Sequence, residues 1–167
     1  MDIKKVFLDS NKGDVDVRLF INENGEYVMC PYGRSPKRQW IGMAKLDYFV
    51  TGNYKTDEEE VIVKNILDCI NVGANYDKLN VGKCTNEEDL VTKCLSQAKR
   101  NKFQNFHVVS VDLSDTNEYV EVVEWERVGK TGSEWRGNPD TVKSLNYEDF
   151  TKKIVETINA FIKPPIR

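Results

Sequence analysis

Between Phe103 and Glu126 the chain carries Asp112, Asp115, Glu118, Glu121, Glu124 and Glu126, with no Lys or Arg among them. Paired carboxylates can hold a magnesium ion or divide the roles of general acid and base. Glu124 and Glu126 lie two residues apart in the alternating run Tyr119-Val120-Glu121-Val122-Val123-Glu124-Trp125-Glu126. A strand would point both the same way, about 7 Å apart. Nothing in the neighbouring sequence supplies the converging partners of an active site. The run reads instead as a surface, and its effect is electrostatic. The protein has 27 acidic and 24 basic residues, net −3, so these six acids can account for the whole imbalance. A hairpin of one sign steers a cationic partner and speeds encounter. The competing reading is an ordinary solvated strand face.

Other chemistry is sparse. His107 is the only imidazole, inside an alternating strand pattern, and reads as structural. Gly129-Lys130-Thr131 and Gly82-Lys83-Cys84-Thr85 imitate phosphate loops. The first-glycine positions hold Glu124 and Asp77, and Cys84 stands where a magnesium-binding hydroxyl is needed. Cys30, Cys69, Cys84 and Cys94 form no C-x-x-C pair. They read as reduced thiols rather than disulfides or a zinc site. Neither a metal, a cofactor nor an enzymatic reaction is expected.

The counter-feature is Tyr32-Gly33-Arg34-Ser35-Pro36-Lys37-Arg38-Gln39-Trp40. Cations interleaved with aromatics suit single-stranded nucleic acid, through phosphate charge and base stacking. A small nucleic-acid-binding module using Arg34 to Trp40 is therefore the alternative function. Pairing of this loop with the protein's own carboxylates explains it equally well, and so does an Arg/Trp-anchored protein interface. The acidic balance, with a pI near 5.3, argues against a general nucleic-acid coat. The first residues carry an early acid and too short an apolar run for a signal peptide, and no stretch approaches a membrane span.

At 167 residues the chain reads as a single α+β domain covering 1–167, with a mostly antiparallel sheet and three main helices on one face. Strands are expected at Lys4–Leu8, Asp14–Ile21, Glu26–Cys30 (ended by Pro31), Gln39–Met43, Asp47–Val50, Phe106–Val111 and Glu118–Val128. Asn22-Glu23-Asn24-Gly25 and Ser114-Asp115-Thr116-Asn117 are the turns. Helices are expected to start near Thr56, Thr85 and Asn146, and acids fill the first turn of the first two. The last helix should bury Phe150, Ile154, Ile158, Phe161 and Ile162. Gly129 to Ser144, with Trp135, reads as a loop.

The run from Asp16 to Val28, followed by Tyr32 and Ser35-Pro36-Lys37-Arg38, resembles immunity proteins of bacterial contact-dependent growth-inhibition systems. The similarity spans mainly the first 70 residues. It implies a cytoplasmic protein that binds and neutralises a cognate toxin domain, often a nuclease, without catalytic residues. Contact surfaces vary in that family, so no binding residue carries over from it. The residue-level expectation is that Asp112, Asp115, Glu118, Glu121, Glu124 and Glu126 meet cationic groups of the toxin. Trp125 and Trp135 are either apolar anchors of that interface or core. No membrane and no direct nucleic-acid contact is expected.

Overall fold

The computed structural model describes residues 2–10, 16–34, 43–45, 48–74, 93–95, 106–128 and 134–167. The expected strand at Lys4–Leu8 is instead a helix, α1 (Ile3–Ser10). Ile3, Val6 and Phe7 recur at helical spacing, Asp2 Oδ1 accepts the Lys5 N–H at 3.1 Å, and Lys5 pairs with Asp9 one turn on. Phe7 is fully buried, edge-on to Phe150 with ring centroids 5.1 Å apart. Its helical period, rather than its short apolar run, decides the conformation.

β1 (Asp16–Ile21) and β2 (Glu26–Arg34) form a hairpin. Asn22 Oδ1 accepts the N–H groups of Asn24 and Glu26, and Gly25 takes φ +84°. Pro31 does not end β2. It lies between Met29, the last residue paired with β4 (Val50–Asn53), and Tyr32, the first paired with β3 (Met43–Lys45). In that interval a missing N–H disappoints no ladder partner on the outer side. Gly52 of β4 passes so close to the Tyr27 hydroxyl that a Cβ there would collide with it.

β5 (His107–Leu113) and β6 (Val120–Val128) pair across the expected turn, where Asn117 adopts φ 62°. The segment read as a loop contains two further strands, β7 (Glu134–Gly137) and β8 (Lys143–Leu145), both paired with β6. Trp135 therefore stands in a strand, in register with Arg127. The antiparallel order is β3-β2-β1-β5-β6-β7, with β4 on β2 and β8 on β6.

α2 (Glu59–Ala74) starts three residues after Thr56, and buries Ile62, Val63, Ile66, Leu67, Cys69 and Ile70. A 3-10 turn at Tyr147–Asp149 leads into α3 (Phe150–Asn159), and Asn146 gives no side-chain cap. Phe150, Ile154, Ile158, Phe161 and Ile162 are all buried, as the helical stripe requires. The helix expected at Thr85 lies outside the described residues, apart from 93–95. Among the described residues no helix is long and apolar enough to cross a membrane.

α1, α2 and α3 cover one face of the sheet, against Val17, Leu19, Ile21, Tyr27, Met29, Val109, Val111, Val120 and Val122. The opposite face is also apolar over part of its area. Phe20, Val28, Cys30, Tyr32, Phe106 and Val108 cluster there with Leu95, Cys94 and Trp125. The domain is α+β as expected, with a second apolar cluster on the face away from the helices. Ile158 is 0% exposed and Val61 is 45% exposed. Ile158→Ala should lose about 2–5 kcal/mol in denaturant melts. Val61→Ala should stay within about 0.5 kcal/mol. Equal small losses at both positions would contradict the assignment of α3 to the core.

Candidate functional site

The second sheet face carries its polar residues in rows set by strand register. Tyr32, Asp16, Asp112, Glu121 and Ser144 stand side by side on β2, β1, β5, β6 and β8. The next row is Cys30, Arg18, Ser110 and Val123, and the one after is Val28, Phe20, Val108 and Trp125. Directly paired residues sit about 4.5–5.5 Å apart, so three carboxylates adjoin across β1, β5 and β6. Like charges placed this way are unfavourable. Burial aggravates it, because Asp16 is only 8% exposed and Asp112 is half-buried.

One cation answers them. Arg18 runs across the sheet past small, buried Ser110, and its guanidinium carbon lies 3.9 Å from the ring centroids of both Tyr32 and Trp125. Rings hold it where its charge is attracted to their faces. That position fixes it 3.8 Å from Asp16 Oδ1, close enough for an ion pair and too far for a hydrogen bond. Arg18 Nε, Asp16 Oδ1, Asp112 Oδ1 and the Trp125 indole nitrogen are all buried without a hydrogen-bond partner. Buried polar groups are rarely left without a partner, and these four lie together beside the three carboxylates.

Burial raises the Asp16 carboxyl to about 6, with Arg18 opposing the shift. Asp112 rises to about 7, through burial first and then through Asp16, Glu121 and Asp115. The two carboxyls thus exchange protons near neutrality, which carboxylates at the surface do not. Among the described residues no group of three His, Cys, Asp or Glu is placed to hold a metal ion.

The six acids of the 103–126 segment do not form one patch. Asp112 and Glu121 belong to the row beside Arg18. Glu124 and Glu126 point to the other face, with Val120 and Val122, and Glu126 bonds Arg136 at 3.1 Å. Asp115 and Glu118 are exposed at the turn. Trp125 is a wall of the Arg18 clamp rather than a free anchor, and the Trp135 side chain lies outside the described residues. Of the basic loop, Arg34 ends β2 and 35–40 lie outside them too. Tyr32 entered the sequence reading only as an aromatic of the Tyr32–Trp40 run, and Asp16, Arg18 and Ser110 were not singled out as site residues. Their only trace was the polar alternation Asp14-Val15-Asp16-Val17-Arg18, and what that meets depends on β1 lying between β2 and β5.

No protein-family model, no curated protein and no solved structure matches the chain. Its function therefore rests on the site itself.

A separate concavity of about 690 Å³ is lined by Asn22, Lys55, His107, Ile162 and Lys163 among others. Burial lowers the His107 pKa, Glu124 opposing, which favours the neutral ring.

The proton affinities have a measurable consequence. Asp16 and Asp112 bind protons more tightly folded than unfolded, where carboxyls titrate near 4. Their contribution to stability is complete below that range and is lost as pH rises through about 6 and 7. Asp112→Asn removes its own share of the loss, and should stabilise the domain at pH 8 by about 1–3 kcal/mol. Denaturant melts at pH 5 and pH 8 check this. A variant whose stability falls with pH in parallel with the parent contradicts it.

Proposed function

We propose that the protein is a cytoplasmic immunity protein of a contact-dependent growth-inhibition system, neutralising a cationic toxin domain, of nuclease type, by stoichiometric binding. The observation that carries this reading is the unbalanced charge of β5, β6 and their turn. Asp115 and Glu118 are exposed, Glu121 and Glu124 are partly exposed, and among the described residues only Glu126 of these is ion-paired. A nuclease presents cations where its substrate's phosphates bind. Carboxylates on one hairpin give it a negative field that attracts such a surface from a distance. The resemblance of the Asp16–Val28 run to immunity proteins supports the same reading.

The test is co-expression with the nuclease-type toxin domain that the proposal requires as its cognate partner. The parent protein should restore growth. Replacing Glu121, Glu124 and Glu126 together with Lys should abolish protection. Because all three side chains are only partly exposed and Glu126 pairs with Arg136, thermal melts must show that the variant still folds before loss of protection is read as loss of contact. Failure of the parent to protect against an active toxin overturns the proposed function. Full protection by a folded triple variant overturns the assignment of the hairpin as the contact.

A further inference from the structure

The outer carboxylates explain attraction, but they do not explain why the second sheet face leaves buried polar atoms unmatched. Resting on the reading of a cationic protein partner, we infer that the row Asp16–Asp112–Glu121, walled by Trp125, is a socket for one arginine side chain of that partner.

Three carboxylates adjoin here with one guanidinium beside them, and that guanidinium makes no hydrogen bond to them. Arg18 cannot turn to satisfy Asp112 without leaving the gap between Tyr32 and Trp125. Asp16 Oδ1 and Asp112 Oδ1 therefore remain acceptors in want of a donor, and Asp16 is more than nine-tenths buried. Asp112 on β5 and Glu121 and Trp125 on β6 are each partly exposed, whereas Asp16 is buried. A side chain entering over Glu121 meets Asp112 first and Asp16 behind it.

The chemistry selects a guanidinium. It is planar, offers five donors in a fixed fork, is weakly hydrated and packs against aromatic faces. Two carboxylates with orphaned oxygens match several of those donors at once. An ammonium is a compact point charge that gives up more hydration on entry. A divalent ion prefers a cage of oxygens, and the three carboxylates do not converge on one point. Glu124, Glu126, Asp115 and Glu118 would then steer the partner, and the socket would hold it.

The probe is methylguanidinium chloride, titrated calorimetrically into the isolated protein at pH 6.5 with sodium chloride holding ionic strength constant. One saturable site in the millimolar range is expected. Binding should release a fraction of a proton, read from two buffers of different ionisation enthalpy, because a bound cation drives Asp16 and Asp112 to their charged forms. Asp16→Asn and Asp112→Asn should each weaken binding at least tenfold, while Glu60→Gln on the exposed side of α2 leaves it unchanged. Methylammonium and magnesium chloride should bind at least fivefold more weakly than methylguanidinium. Absence of saturable heat overturns the socket. So does parent-like binding by the Asp112→Asn variant, or magnesium binding more tightly than methylguanidinium. No toxin enters this experiment, so its failure leaves toxin protection standing. Conversely, saturable binding by a protein that gives no protection would sink the immunity reading and keep the socket.

Discussion

The stacking of Arg18 between Tyr32 and Trp125 governs the polar face of this protein. It places its cation 3.9 Å from two ring centres and 3.8 Å from Asp16. A guanidinium free to move would fork onto Asp16 or Asp112 and close the site as an ordinary buried ion pair. Held by rings, it lowers the cost of the carboxylates without quenching them. The raised proton affinities of Asp16 and Asp112 follow from that partial compensation, since burial dominates both and Arg18 opposes it only in part. An incompletely paired buried charge is costly, so the rest of the domain must hold the strands in place against it.

That support comes from the other side of the sheet. β1 and β5 lie at its centre, each paired along its length on both sides. Their alternate residues, Val17, Leu19, Ile21, Val109 and Val111, are buried under the helices. A one-residue slip of β1 would drive Asp16 and Arg18 into that core, so packing of the helices fixes the register that builds the polar row. Tyr54 ties the layers together by donating to the Val155 carbonyl of α3 at 2.5 Å, and Tyr147 anchors the acidic turn by donating to the Asn117 carbonyl at 2.6 Å. The exposed acids at the turn are thereby presented from a fixed base.

Local patterns in the sequence reached the elements they govern and stopped there. The Asn22–Gly25 and Ser114–Asn117 turns, α2 and the stripe Phe150-Ile154-Ile158 are set by neighbours in the chain, and they were legible. α1 was misread because four apolar residues in a short run fit either period, and its burial against Phe150 lies over 140 residues away. β7 and β8 are three or four residues long, too short to carry an alternation. The acidic hairpin was legible as composition but not as shape: period-2 alternation sends Glu121 and Glu124 to opposite faces. The Asp16–Asp112 pairing, separated by 96 positions in the chain, exists only through the strand order β2-β1-β5-β6. No single-chain pattern announces it.

The central claim is that the clamp on Arg18 leaves Asp16 and Asp112 as incompletely neutralised neighbours. Site-resolved carboxyl carbon shifts followed by NMR from pH 3 to pH 9 test it most directly. The account predicts titration midpoints near 6 for Asp16 and near 7 for Asp112, both falling in a Tyr32→Leu variant as the guanidinium is freed to bond them. Midpoints below 4.5 for both residues in the parent protein would contradict it, because they would mean that Arg18 already pairs fully with the carboxylates.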